Sequence, residues 1–225
     1  MAADLAGLSY AIYSGTANAE YINGNYYYQN TYFRQTASID LTEHYWRSIG
    51  GNVSGATYRY FSGRYDGGDF TISGIFTDST QSYTGLFGYV YGDSTAYSTI
   101  KNIKIVDSYI SGGEHVGAVI GYSSYTEISN CYNYADVKAT SSNLGGIVGD
   151  ANHSSITDCY NTGAVTGSGS YTGGIAGRVD SNTIIRDCYN AGNISGTDLL
   201  GGIVGYTASN IINCHNTGVI NATSS

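Results

Sequence analysis

The pentapeptide Gly145-Gly146-Ile147-Val148-Gly149 returns as Gly173-Gly174-Ile175-Ala176-Gly177 and as Gly201-Gly202-Ile203-Val204-Gly205. Looser copies lie upstream, Gly117-Ala118-Val119-Ile120-Gly121 and Thr84-Gly85-Leu86-Phe87-Gly88. The closing glycines at 121, 149, 177 and 205 stand 28 residues apart. A fixed step of this size marks an array in which each unit buries its apolar side against the next. Between the pentapeptides run short apolar pieces separated by polar turns, best preserved in Ile156-Thr157-Asp158-Cys159-Tyr160-Asn161-Thr162-Gly163-Ala164-Val165 and matched by 128–137, 185–194 and 211–220. These pieces are too short and too rich in glycine for helices. They suit the three sides of a coil whose strands pair with those above and below. The expected fold is therefore all-β, a parallel β-solenoid of about 28 residues per coil. Seven or eight coils stacked at roughly 4.8 Å make a rod of about 35–40 Å. One detail resists a plain strand: Ile156 and Cys159 are three apart and would face opposite sides, which calls for a bend or bulge between them.

The N-terminal part departs from the period. Residues 4–19 read as a short amphipathic capping helix, with Asp4 as N-cap and Leu5, Leu8 and Ile12 on one face. Such a helix covers the open end of a sheet, where unpaired backbone otherwise recruits other chains. Residues 20–83 are crowded with tyrosine, with strand-like runs at 32–41 and 69–76, and read as enlarged first coils. The division expected is 1–83 for the cap helix and irregular tyrosine-rich coils, and 84–225 for the regular repeats, the whole forming one continuous domain.

Composition narrows the function. The net charge is −8 with only nine Lys and Arg, which leaves no basic stripe for nucleic acid or anionic lipid. No apolar run is long enough for a membrane span. The first residues lack the charged and apolar regions of a secretory signal, and 221–225 stop where a further repeat is due. The chain is accordingly expected to be a piece of a longer one with flanking domains.

These units resemble the GLUG-motif repeat of bacterial surface proteins, with its Gly-Leu/Ile/Val-Val-Gly core and a following Ile-x-Asn/Asp-Cys-Tyr-Asn-x-Gly stretch. The likeness runs from about residue 82 to 225. Residues 62–74, and Ile39-Asp40-Leu41 with Trp46 and Ile49-Gly50, resemble the segment that leads into the first such repeat. The resemblance implies a right-handed parallel β-helix in a secreted or cell-wall-anchored protein, often adhesin-like and sometimes flanking metallopeptidases that cut immunoglobulin A. It says little about activity.

No catalytic set stands out. Cys131, Cys159, Cys188 and Cys214 recur once per coil without CxxC spacing, as expected of a buried ladder of free thiols rather than a metal site. Asn133, Asn161, Asn190 and Asn216 follow two residues later and suit a ladder of amide hydrogen bonds, with a left-handed backbone tolerated there. Tyr132, Tyr160, Tyr189 and His215 suit an aromatic ladder. His44, His115, His153 and His215 form no HExxH pattern. Asp66 and Asp69 beside Arg64 are the closest group of the kind used by β-helical polysaccharide lyases and hydrolases; Asp158 and Asp187 stack between Asn130 and Asn213. The primary expectation is a non-catalytic module for adhesion or rigid spacing, without cofactor or metal, meeting a glycan or surface protein. The first alternative is carbohydrate binding through exposed rings, for which Tyr26, Tyr28, Tyr45, Trp46 and Tyr58 are the candidates; packing inside the first coils competes for the same rings. The second alternative is a polysaccharide-cleaving enzyme.

Overall fold

Residues equivalent in the sequence repeat lie side by side in space. The structure, a computed structural model, describes residues 2–14, 20–22, 25–27, 31–42, 45–54, 57–77 and 80–223. Its strands stack in parallel register into about six turns of a β-solenoid. Four strips of sheet run along the stack. Face I holds Tyr32–Arg34, Arg64–Asp66, Ser98–Val106, Thr126–Asn133, Ser155–Thr157, Ile184–Arg186 and Asn210–Ile212. Face II holds Tyr109–Gly112, Asp136–Ala139, Val165–Gly167, Ile194–Gly196 and Ile220–Ala222. Face III is narrow, with Val116–Gly117, Leu144–Gly145, Ser170–Gly173 and Asp198–Gly201. Face IV holds Phe87–Tyr91, Ile120–Ser124, Val148–Asn152, Ala176–Val179 and Val204–Thr207.

In-register pairing turns each inward position into a ladder. Face I contributes Phe33, Tyr65, Ile100, Ile128, Ile156, Ile185 and Ile211. Face II contributes Ile110, Val137, Val165, Ile194 and Ile220. Face IV contributes Phe87, Ile120, Val148, Ala176 and Val204. Apart from Ile211 and Ile220, which are exposed in the last coil, they contribute to one apolar core reaching from Leu5 to Val204. Burying an isoleucine such as Ile128 or Ile156 completely is worth about 1.5–3 kcal/mol.

The bend required between Ile156 and Cys159 is a left-handed residue. Asn102, Asn130, Asp158, Asp187 and Asn213 have φ of 56, 50, 52, 54 and 53°. Asn and Asp enter this region at least cost among residues with a Cβ, because their short polar side chains bond locally. The turn brings Ile156 and Cys159 to the same buried side and leaves Arg186, the equivalent of Thr157, in solvent. The left-handed position therefore falls three residues before the asparagine ladder and not on it.

The asparagine ladder itself is present. Asn133 Nδ2 donates to Asn161 Oδ1 at 2.8 Å, Asn161 to Asn190 at 2.7 Å, and Asn190 to Asn216 at 2.6 Å. Each Nδ2 also donates to the carbonyl two residues on, at Ala135, Gly163, Gly192 or Gly218. Asn133, Asn161 and Asn190 are fully buried, so this chain of bonds replaces water for these three amides. Across the core, the second glycine of the pentapeptide makes room for it. A Cβ on Gly146 would lie 2.5 Å from Asn161 Cγ, and one on Gly174 2.3 Å from Asn190 Cγ. The pentapeptide is thus a corner and not a side of the coil: Gly145 ends a face III strand and Val148 opens a face IV strand.

The cap helix spans Ala2–Ser14, starting before Asp4, which lies inside it and is not its N-cap. Leu5 and Ile12 are buried and Leu8 packs on the core, as their spacing predicts. Ser9 Oγ ties the helix to the first coil through the Arg47 carbonyl at 2.8 Å. The turn count falls short of seven or eight because chain before residue 31 contributes a helix and the hairpin Glu20–Ile22/Asn25–Tyr27, and Gly51–Ser54 with Thr57–Arg59 forms a second antiparallel hairpin off the stack.

Candidate functional site

Face IV presents its outward residues as a ladder that follows the closing glycine of each pentapeptide: Tyr89, Tyr122, Asp150, Arg178 and Tyr206. Beside it runs a ladder of left-handed corner residues, Tyr83, His115, Asn143, Tyr171 and Leu199, with φ from 49 to 65°. The closing glycine permits this corner. A Cβ on Gly149 would sit 2.5 Å from Val116 N and 2.7 Å from the His115 carbonyl carbon.

The two ladders meet in a block of rings. Tyr83 stacks on His115 at 4.7 Å and on Tyr89 at 5.6 Å between centroids, and Tyr122 meets Tyr89 edge-on at 4.9 Å. Tyr58, from the second hairpin, joins through edge contacts with Tyr83 at 5.4 Å and Tyr89 at 6.0 Å. These offset and edge geometries are the ones ring quadrupoles favour. Burial pushes the phenols of Tyr83, Tyr89 and Tyr122 above their usual range, an Asn152 hydrogen bond opposing it at Tyr122.

Charge enters next to the rings. Asp150 Oδ2 lies 3.4 Å from His115 Nδ1 and 3.6 Å from an Arg178 nitrogen, and Arg178 also bonds Asp180 at 2.9 Å. Asp150 is almost wholly buried and its Oδ1 has no partner. His115 Nδ1 also lies 3.2 Å from Asn143 Nδ2. A proton on Nδ1 serves the Asp150 contact and a bare Nδ1 accepts from the Asn143 amide, so the ring tautomer selects one of the two. An aspartate orienting a histidine is half of a nucleophile-activating set. Among the described residues no serine, threonine or cysteine side chain bonds to His115.

The sequence candidates divide. Tyr45 is 86% exposed and lines a cleft of about 320 Å³ with Arg47, Gln81 and Tyr83, so it adjoins the ring block. Tyr58 is 38% exposed and belongs to that block. Trp46 also borders that cleft but is largely buried, its indole Nε1 donating to the carbonyls of Gly85 and Leu86 at 3.1 and 3.2 Å, so most of the ring serves the core. Tyr26 is placed only as backbone of the first hairpin, and Tyr28 lies outside the described residues. Tyr83, Tyr89 and Tyr122 escaped the sequence reading and His115 entered it only as lacking an HExxH pattern, although for Tyr89 and Tyr122 the position after each closing glycine was there to be followed.

The carboxylates near Arg64 are occupied. Asp66 accepts from Asn102 Nδ2 at 2.8 Å, Gly68 N at 2.9 Å and Tyr32 Oη at 2.9 Å, with Lys101 Nζ at 3.8 Å. Burial alone would raise its pKa, but these donors and the lysine outweigh it and hold the carboxyl below its usual value. Asp69 pairs with Lys104 at 3.4 Å. The four cysteines are free thiols, and burial drives Cys159 far up from the usual thiol range. Tyr160 and Tyr189 stack at 4.9 Å with rings 10° apart, and Tyr189 meets His215 at 4.3 Å, completing the expected aromatic ladder. Among the described residues, no cluster of three or more His, Cys, Asp or Glu suits a metal, and no helix is long and apolar enough to cross a membrane.

The family described as the GLUG motif matches residues 140–166, which span the Gly145–Gly149 corner and the Ile156 to Val165 run. The chain therefore carries a GLUG motif within its solenoid. No curated protein matches the sequence significantly. Among solved structures, the chain is similar to a candidate immunoglobulin A1 protease from Bacteroides ovatus, with a TM-score of 0.58 and 20% identity over 85% of this chain and 70% of the other. At that identity the likeness is one of fold.

Proposed function

We propose that this chain is a non-catalytic solenoid module of a secreted or surface-anchored bacterial protein, acting in adhesion or as a rigid spacer. The observation that carries this reading is the continuous stack: one core and a buried asparagine ladder run from coil to coil, so the module transmits position along its length. Such a rod holds a binding surface or a neighbouring domain away from the cell. The engagement of Asp66 and Asp69 in a turn and an ion pair supports a role without bond cleavage. The GLUG motif and the similar structure support an extracellular setting.

A second reading, carbohydrate binding, draws on Tyr45 and Tyr58 beside the ring block, since exposed rings stack on sugar faces. A broad glycan array combined with a reducing-sugar assay separates the readings. Neither binding nor cleavage supports the spacer, binding weakened by Tyr45→Ala or Tyr58→Ala supports the second reading, and cleavage lost with Asp66→Asn refutes both.

A further inference from the structure

Face I carries a groove of about 570 Å³, lined by Tyr32, Arg64, Tyr97, Thr99, Lys101 and Glu127, none of them a member of the ring block on face IV. Its floor is one register ladder: Tyr32 pairs with Arg64, Arg64 with Thr99 and Thr99 with Glu127. At roughly 4.8 Å per strand the ladder runs about 14 Å along the rod. The long axis of the groove therefore follows the stack, and a linear ligand would lie across successive strands.

Both aromatic walls are braced. Tyr32 is 54% exposed, yet its hydroxyl donates to Asp66 at 2.9 Å, which fixes the ring upright. Tyr97 is 39% exposed and is backed by the edge of Tyr125 at 5.8 Å. Tyr125 in turn stacks on His153 at 4.8 Å. The loop carrying Tyr97 is tied down by Asp93, whose carboxylate accepts from the Thr95 and Ala96 amides at 2.7 and 2.8 Å. Rings fixed before binding lose little rotamer freedom on contact, which is how a shallow groove gains affinity.

The floor offers donors and acceptors in balance. Lys101 is neutralised by Asp66. Arg64 and Glu127 are exposed, and among the described residues neither side chain has an ion-pair partner. One presents a planar fork of N–H donors and the other two acceptor oxygens. Two exposed rings, a fork of donors and a carboxylate, with no net charge between them, fit a chain of hydroxyl-bearing rings. They fit a polyanion poorly, because Glu127 and the protein's charge of −8 oppose it.

We infer that the Tyr32–Tyr97 groove binds a short neutral oligosaccharide lying along the rod, its ring faces against Tyr32 and Tyr97 and its hydroxyls on Arg64 and Glu127. This extends the adhesive reading to a separate face, and its failure is distinguishable from failure at the ring block because the two share no residue. The experiment is isothermal titration of the full chain with neutral gluco-, manno- and xylo-hexasaccharides and with an oligogalacturonate hexamer. A neutral ligand is expected to bind, with roughly tenfold loss in each of Tyr97→Ala and Arg64→Ala and no change in Lys138→Ala, at an exposed face II position. Tyr32→Phe keeps the ring while removing the Asp66 bond, and is expected to bind more weakly than the parent but more tightly than Tyr32→Ala. Thermal unfolding of each variant confirms that it folds. Binding of no neutral hexasaccharide, binding indifferent to Tyr97 and Arg64, or binding confined to the oligogalacturonate overturns the assignment.

Discussion

Replacing Asn161 by alanine tests whether the amide ladder holds the stack together. The side chain makes three buried bonds: it accepts from Asn133 Nδ2 and donates to Gly163 O and to Asn190 Oδ1. Alanine strands a donor hydrogen on Asn133, the Asn190 oxygen and the Gly163 carbonyl in a region with no water-exposed surface on either amide. A buried polar group left without its partner costs about 1–3 kcal/mol. With partial relaxation the three together come to roughly 3–6 kcal/mol, a large share of the 5–15 kcal/mol that holds an ordinary domain folded. Asn216 provides the internal comparison. It occupies the last rung and is partly exposed, so water replaces what Asn216→Ala removes, and the cost there is expected to be about 1 kcal/mol. Urea unfolding followed by far-ultraviolet circular dichroism measures both, with equal m-values as the check that the unfolded state has not changed. If Asn161→Ala costs no more than Asn216→Ala, the ladder is a by-product of stacking and not a source of stability.

Three further outcomes follow from the geometry. At the left-handed bend, Asp158→Ala should destabilise by about 1 kcal/mol while Asp158→Gly is close to neutral, because only a Cβ is penalised at a φ of 52°; equilibrium unfolding reads the difference. Burial raises the phenols of Tyr65, to about 12, and of Tyr83, Tyr89 and Tyr122, so in a tyrosinate absorbance titration these stay protonated past the ordinary value near 10. A raised folded pKa means that their contribution to stability is complete below pH 10 and lost as pH climbs through the folded values, so denaturation midpoints should fall above pH 10 and not below it. In maleimide labelling of the native protein Cys214, partly exposed in the last coil, should react first, with Cys159 protected until the stack opens.

How much of this was legible in the sequence depended on which residues repeat. The ladders of Ile156, Cys159, Asn161 and Tyr160 are spelled once per coil, and a parallel stack in register follows from that spacing. The need for a bend between Ile156 and Cys159 was also readable, since two core positions three apart cannot share a strand face. Its identity as a left-handed Asp or Asn was not, because the same residues make a sensible polar ladder. Trp46 suits a sugar platform by type, and only its bonds to the carbonyls of Gly85 and Leu86, some forty positions away, show how deeply it packs. The ring block was hidden for a different reason. Tyr89 and Tyr122 occupy a repeat position that carries Asp150 and Arg178 in later coils, so the pattern there is one of placement and not of residue type.

The one-per-coil placement of the amide ladder bears on how such genes change length. Excising residues 149–176 would join Val148 to Gly177 and leave Asn133 facing Asn190 across the same gap that Asn161 now fills. Recombination that removes or duplicates one whole repeat therefore preserves the ladder, which already spans sequence steps of 28, 29 and 26 residues. Copy number becomes a ruler: the length of the stack changes in increments of one strand spacing, about 4.8 Å.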